Sequence, residues 1–267
     1  MNHNWKSVKI QSNYNTQGKE LMYYDEIIVL KRNGTTEKFT PLKIHTVSEW
    51  CTQGIKNVSS SELEVVLSKY LHGTKEIKST DLHELVIKSA VELITEQKPN
   101  YQYVAARAAL FKLRKDVLGQ FEPCHLSEIM TLNTDRLLYD KKLFEMYSMT
   151  EINQLNDYLK HDRDYNFTYA GLQQVIDKYL VRNRITKQIF ETPQYMYMLI
   201  AMALFKGEKD SIQRLSLVKR YYDQISLFKL NIPTPIMSGA RTPTRQYSSC
   251  VLIDIDEYED SLNVKDK

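Results

Sequence analysis

The alternation of apolar and polar residues predicts a β-hairpin near the start of the folded chain, followed by a helix. The segment EIIVLKRNGTTEKFT contains two short runs around Asn33-Gly34, a dipeptide that favours the two positive-φ positions of a tight hairpin turn. Thr40 then offers an N-cap with Pro41 in the first helical position, and Gly54 stands where this helix would end. Residues 1–24 are polar and lack a clean period, so we expect them to form an extension outside the fold.

Three more helices complete the pattern of the first half of the chain. Ser59 and Glu62 have the spacing of a capping box, which predicts the start of the second helix. A third helix is expected after residues 79–81, and a fourth from Asn100, because apolar residues recur there at helical spacing. Hairpin and helices together predict one compact α+β unit over residues 25–119.

The second half of the chain is predicted to be mostly helical. Apolar residues keep a helical period over residues 120–230, and proline and glycine are sparse there. We expect the helices to end at Asn231-Ile232-Pro233. Beyond that point the alternation from Ser248 to Asp254 predicts a strand, so residues 231–267 are treated as a separate region.

Composition narrows the range of functions. The 267 residues are 42% hydrophobic, which is enough for genuine cores, and the net charge of +3 gives no basic footprint for a nucleic-acid backbone. No apolar run approaches the roughly 18 residues of a membrane span, and the N-terminus lacks the core of a secretory signal. We therefore expect a cytoplasmic protein without nucleic-acid or membrane partners. Three cysteines without a CxxC pair fit a reducing compartment and disfavour a zinc site.

Several cations and hydrogen-bonding groups come from segments that the predicted packing would bring together. Converging cations neutralise a triphosphate better than one lysine does, so a nucleotide site is one interpretation. A solvent-exposed cluster of charges is the other, and spacing alone favours it. The residues concerned are Lys31, Arg32, Glu37, Lys43, Ser79, His83 and Lys115.

Other conspicuous residues are better explained by structure than by chemistry. His83 has no second histidine or cysteine at metal-ligand spacing, and the HDRD run at residues 161–164 is typical of capping and ion pairing. Residues 195–202, rich in Met and Tyr, fit a packed helix. Cys51 on an apolar helix face and Cys124 in a loop both default to structural roles.

The stretch PTPIMSGARTPTRQYSSC, residues 233–250, differs from these. Its small, hydroxylated and basic residues suit an anion site beside an accessible thiol more than a packed core. Cys250 follows two serines and has Arg241 and Arg245 nearby in the sequence. A redox thiol and a structural one are equally compatible with this composition.

This stretch resembles the large, catalytic subunit of class I ribonucleotide reductase, because a long run of unusual residues agrees in order. Upstream, VLKRNGTTEKF, IKSTDLHELVIKSA and YQYVAARAALFKLRK resemble the ATP-cone of that family. QFEPCHL and HDRDYNFTYAG are similar to its linking helical region. The resemblance runs from about Ile27 to Leu262.

The resemblance implies an overall-activity site in the cone, where ATP activates and dATP inhibits, with magnesium accompanying the nucleotide. It makes the four cations Lys31, Arg32, Lys43 and Lys115 phosphate ligands and places Glu37 for the adenine. Thr40 is commonly a different polar residue in relatives. The implied site residues are Val29, Lys31, Arg32, Glu37, Thr40, Lys43, Ile44, Ser79, His83 and Lys115.

The resemblance also implies a catalytic role for the second part of the chain. Thr234 and Ser249 match residues that hold the substrate diphosphate, and Cys250 matches one of two cysteines that reduce the substrate and become a disulfide. The run Asp260-Ser261-Leu262 resembles the start of the specificity site for an effector nucleotide, although two extra residues separate it from Cys250.

The implied architecture is an ATP-cone, a helical linking region and the first strand of a ten-stranded α/β barrel. We expect the rest of the barrel on a second polypeptide, a higher oligomer, and a radical from a separate diiron small subunit, with no metal in this chain. Together they would reduce ribonucleoside diphosphates to deoxyribonucleotides. A non-catalytic nucleotide-binding regulator and a truncated or degenerate fragment are the alternatives.

Overall fold

The computed structural model describes residues 27–250 and 252. The chain forms two compact units that divide between Ala108 and Ala109. That division falls inside one helix, which runs from Tyr101 to Leu118. The residue ranges predicted for the domains stay predictions.

The first unit contains a three-stranded sheet with the order β2-β1-β3. The hairpin is confirmed: β1 (Ile28–Leu30) pairs antiparallel with β2 (Thr36–Lys38). β3 (Glu76–Lys78) pairs parallel with β1, so Lys78 lies beside Leu30. β3 was not predicted, because three residues are too few to show a period.

The hairpin turn is longer than predicted. The Lys31 amide donates to Thr35 O at 2.8 Å, and the Gly34 amide donates to Lys31 O at 3.0 Å. Gly34 has a φ of 82°, whereas Asn33 is not in the positive-φ region, so the two-residue turn was wrong. Asn33 stabilises the wider loop, because its Oδ1 accepts a hydrogen bond from the Thr35 amide at 3.1 Å.

Four helices follow the hairpin along the chain, as predicted: two precede β3 and two come after it. The first begins after Thr40 with Pro41 in its first turn, and Gly54, at a φ of 72°, follows its end. Buried Cys51, Leu67 and Val86 are part of the apolar core. The helices are α1 (Pro41–Thr52), α2 (Ser60–Leu71), α3 (Ser79–Glu92) and α4 (Tyr101–Leu118).

The capping box predicted for α2 does not form. Ser59 is the N-cap, but its side chain makes no capping hydrogen bond. The Tyr101 hydroxyl instead accepts from the Ser59 amide at 3.0 Å and donates to Glu62 at 2.6 Å. A buried tyrosine from α4 thus takes the place that the Glu62 carboxylate has in a capping box.

The second unit is helical in the part that the structure describes. α9 is central: all its residues from Pro193 to Met202 are buried, which confirms the packed helix predicted there, and it packs on α10. A short 3-10 helix covers His161–Asn166. The helices are α5 (Leu126–Asp135), α6 (Lys141–Glu145), α7 (Met149–Tyr158), α8 (Tyr169–Lys178), α9 (Pro193–Phe205), α10 (Ser211–Ser226) and α11 (Thr234–Gly239).

The prediction that the helices end at Pro233 was wrong. Pro233 is the N-cap of α11, because proline favours the start of a helix as much as it terminates one. Residues 244–250 form neither helix nor strand. The described residues of the predicted strand, Ser248, Ser249, Cys250 and Leu252, are not in a strand. The rest of that segment, the extension 1–24 and Asp260-Ser261-Leu262 lie outside the described residues, so these stay predictions.

The described residues contain neither a candidate membrane span nor a candidate metal site. None of their helices combines the length and apolar character that a membrane span requires. Within the same residues, no group of three or more His, Cys, Asp and Glu side chains is arranged to hold a metal ion.

Candidate functional site

Because β1 and β3 are parallel, their carboxyl ends lie side by side at one end of the sheet. We call this end the shared edge. The chain leaving β1 supplies Lys31 and Arg32, and the chain leaving β3 begins α3 at Ser79. One turn further, His83 Nδ1 lies 3.3 Å from the Arg32 guanidinium. Basic and hydrogen-bonding side chains from separate segments meet at this edge, so it is the candidate site.

A cluster of one carboxylate and two ammonium groups lies beside this edge. Lys31 Nζ contacts Glu37 Oε2 at 2.6 Å, and Lys43 Nζ lies 2.8 Å from both Glu37 oxygens. The hydrogen bonds from Lys31 and Lys43 lower the pKa of Glu37, so the carboxylate is ionised at neutral pH. We call these three residues the Glu37 cluster.

The Glu37 cluster is open to solvent. The exposed fractions of the Lys31, Lys43 and Glu37 side chains are 39%, 61% and 29%. Exposed ion pairs of this kind contribute little to stability and exchange partners readily. Both ammonium groups and the carboxylate are therefore accessible to solvent and to dissolved ions.

The remaining cone candidates fall into two groups. Val29 and Ile44 are buried, so their side chains belong to the core beneath the edge. Thr40 is exposed at the start of α1, and its hydroxyl donates to Lys38 O at 3.3 Å. Lys115 lies in the second unit, in the last turn of α4, with Nζ 5.8 Å from the centre of the Phe111 ring.

In the second unit, Thr234 begins the short helix α11. Its Oγ1 lies 3.5 Å from the Tyr179 hydroxyl. Ser249 and Cys250 are exposed, and the Ser249 hydroxyl lies 3.6 Å from Cys250 Sγ. The hydrogen bonds of the described residues do not join Thr234 to this pair.

The two arginines of the cysteine-bearing stretch do not surround the thiol, contrary to the interpretation of its composition. Arg241 is fully buried and makes a bidentate ion pair with Glu191. Arg245 Nη2 donates to Asp140 Oδ2 at 3.0 Å. Both guanidinium groups are attracted to carboxylates elsewhere in the unit, so they fix the stretch instead of activating Cys250.

Sequence reasoning missed Glu191 as the organising residue of this region. Its carboxylate also accepts from the Tyr139 hydroxyl at 2.7 Å and from the Val181 amide at 2.7 Å. Arg241 donates further to Met237 O and Tyr179 O, at 2.6 and 2.8 Å. No local spacing reveals this network, because Glu191 and Arg241 are fifty positions apart.

The HDRD run is structural, as expected, and its last residue, Asp164, is buried. Asp164 pairs with Arg114 at 3.5 Å and accepts from Gln194 at 2.8 Å. Burial raises the pKa of Asp164 to about 6 and lowers that of His161 to about 3, with Arg114 adding to the latter shift. These groups hold helices together in the second unit.

The other two cysteines also match their structural assignment. Cys51 is fully buried, and burial raises the pKa of its thiol to about 12. Cys124 is half-buried near the Tyr195 hydroxyl, and burial raises its pKa as well. Cys250 is the exposed thiol among the three.

Comparison with known families matches both parts of this description. Residues 27–116 match the ATP cone domain, and residues 165–245 match the ribonucleotide reductase all-alpha domain. The chain carries an ATP cone and a ribonucleotide reductase all-alpha domain. The shared strand edge, the Glu37 cluster and Lys115 all fall within the residues of the ATP cone. Thr234 and the Glu191–Arg241 pair fall within the all-alpha domain, whereas Ser249 and Cys250 follow it.

The curated relatives that the chain matches are alpha subunits of ribonucleoside-diphosphate reductase. Ribonucleoside-diphosphate reductase 1 subunit alpha of Escherichia coli K12 is 46% identical over 237 residues, covering 89% of this chain. The ribonucleoside-diphosphate reductase alpha subunits of Buchnera aphidicola from Schizaphis graminum and of Enterobacteria phage T4 are 44% and 41% identical, over 90% and 89% of this chain. The chain spans 31% of the length of each of these relatives and is homologous to their N-terminal region.

Proposed function

We propose that the ATP cone of this chain is a nucleotide-binding activity site that responds to ATP and dATP. The observation that carries the proposal is the convergence of Lys31, Arg32 and Lys43 at the edge where β1 and β3 end. Ammonium and guanidinium groups suit phosphate oxygens and do not coordinate metals. Magnesium would therefore arrive on the nucleotide, while Ser79, His83 and Thr40 would supply further hydrogen bonds and Glu37 would face the adenine.

We propose further that the chain acts in the reduction of ribonucleoside diphosphates as the N-terminal part of a reductase alpha subunit. Thr234 and Ser249 would hold the substrate diphosphate. The Cys250 thiol and a second thiol would be oxidised to a disulfide while the substrate 2′-hydroxyl leaves as water. Support comes from the exposure of Ser249 and Cys250 and from the homology to alpha subunits.

The reaction needs groups that these 267 residues do not include. The second redox cysteine and the radical-bearing cysteine would come from the remainder of the alpha subunit, for which a second polypeptide is the proposed source. A diiron small subunit would supply the radical. Asp260-Ser261-Leu262 would begin the effector site that sets substrate specificity.

Nucleotide binding is tested by calorimetric titration of the purified chain with ATP and dATP. Wild type binds both at up to millimolar concentration, and the double variant Lys31→Ala/Lys115→Ala binds at least about tenfold more weakly, because two charge-assisted contacts are lost. Lys141→Ala, which removes an exposed charge on α6, is the matched control and leaves binding unchanged. Absence of binding by wild type would refute the nucleotide site.

The catalytic proposal is tested by purifying the protein from its native source and identifying the polypeptides that accompany it. Reductase activity that depends on a second chain and on a small subunit supports the proposal. Recovery of ATP binding without activity in any combination of fractions would instead favour a nucleotide-binding regulator.

A further inference from the structure

The Glu37 cluster has a property that simple phosphate binding does not require. Both lysines that would hold the phosphates are already engaged by the same carboxylate, at 2.6 to 2.8 Å. A polyphosphate that uses these ammonium groups must first displace Glu37. Every anion that enters the site therefore gives up part of its binding energy to break the Glu37 contacts.

The displaced carboxylate then needs a new hydrogen-bond donor. Glu37 is on the exposed strand β2 and 29% of its side chain is accessible, so it can rotate away without repacking the core. An adenine base presents an exocyclic amino group, which is a donor, whereas inorganic tripolyphosphate has no group that could serve. A nucleotide can thus recover the lost contacts, and a bare polyphosphate cannot.

We propose that Glu37 is a specificity-determining residue, which acts as a built-in competing anion and makes the site discriminate nucleotides from inorganic polyphosphates. The inference rests on the nucleotide site proposed above. In the ligand-free site the carboxylate neutralises Lys31 and Lys43. In the occupied site the phosphates take both lysines, and the base takes the carboxylate.

The geometry also sets the size of the effect. The three side chains are substantially exposed, and exposed ion pairs are worth little individually. Two such pairs correspond to a penalty of about fivefold in affinity. Glu37 therefore tunes the site and does not close it.

The test compares ATP with sodium tripolyphosphate in calorimetric titrations of wild type and Glu37→Gln. We expect Glu37→Gln to bind tripolyphosphate about fivefold more tightly and ATP no more tightly, so that the preference for ATP shrinks by about that factor. Glu76→Gln removes the same charge from an exposed position on β3, and it leaves the preference as in wild type. Circular dichroism confirms that each variant is folded.

A second variant separates charge from reach. Glu37→Asp keeps the negative charge, but its side chain is one methylene shorter and no longer spans both ammonium groups. We expect the preference of this variant for ATP over tripolyphosphate to fall between those of wild type and Glu37→Gln. If tripolyphosphate binds Glu37→Gln no better than wild type, while wild type binds ATP, the inference is wrong and the nucleotide site stands. If wild type does not bind ATP, the proposed function itself fails.

Discussion

Two of the carboxylates that are paired with cations, Glu37 and Glu191, have opposite surroundings. Glu37 contacts two lysines at the exposed edge of the sheet, whereas Glu191 contacts Arg241 where both side chains are fully buried. Water competes for the first set of contacts and is excluded from the second. The comparison teaches that burial, more than the number of ion pairs, decides whether a charged cluster exchanges its partners or fixes a fold.

The buried pair is also more completely satisfied. Glu191 accepts from a tyrosine hydroxyl and a backbone amide in addition to Arg241, and Arg241 donates to two backbone carbonyls. Such additional hydrogen bonds offset the cost of removing both charges from water. Arg241 thereby joins α11 to the loop after α8, which carries Tyr179 and Val181.

The largest predicted effect comes from breaking the buried pair. Arg241→Met leaves Glu191 charged and buried without its partner, and we expect the free energy of unfolding to fall by about 3–5 kcal/mol. Chemical denaturation followed by circular dichroism measures it. Arg245→Ala should cost less than about 1 kcal/mol, because the Arg245 side chain is 57% exposed. Similar losses in the two variants would contradict the role given to burial.

An effect of intermediate size concerns pH and the partly buried His161. Its folded pKa of about 3 lies below the ordinary 6.5, so the unfolded chain binds a proton first and stability is lost as pH falls below about 6.5. Asp164, with a folded pKa of about 6, has the opposite influence: it contributes stability below its ordinary pKa of 3.8 that is lost as pH rises through about 6.

His161→Phe removes the first of these titrations and keeps an aromatic ring beside Tyr195. When the pH is lowered from 7 to 5, wild type loses about 1–2 kcal/mol of unfolding free energy through His161, and the variant does not. The variant therefore gains about that much stability relative to wild type. Denaturant titrations at the two pH values give this difference directly. A difference that does not change with pH would mean that His161 is solvated in the folded protein.

The smallest predicted effect is at the exposed cluster. Lys31→Ala should change the free energy of unfolding by no more than about 0.5 kcal/mol, because the pair that it removes is exposed and screened. Thermal denaturation in the absence of nucleotide is the measurement. A loss comparable to that of Arg241→Met would show that the Glu37 cluster supports the fold, and the contrast between the two carboxylates would disappear.

The sequence predicted those parts of the fold that depend on local signals. The hairpin, the start of α1 at Thr40-Pro41 and the packed helix α9 all follow from turn residues, capping residues or apolar content. The Glu37 cluster was found as a group of charges, because its members lie within thirteen residues of one another.

The features that were missed depend on contacts between distant segments. β3 is defined by its parallel partner β1, and the N-cap of α2 is completed by Tyr101, forty-two positions away. Arg241 looked like a neighbour of Cys250 because proximity in sequence was the only guide. Its true partner, Glu191, is chosen by a buried site that forms only when the second unit has packed.

The buried position of Arg241 limits where chemistry at Cys250 can occur. The two residues are nine positions apart, and an extended chain advances about 3.3–3.6 Å per residue, so the cysteine lies within about 32 Å of this fixed point. A disulfide requires its two Cα atoms to approach to about 7 Å or less. Any cysteine that pairs with Cys250 must therefore bring its Cα atom within about 39 Å of that of Arg241.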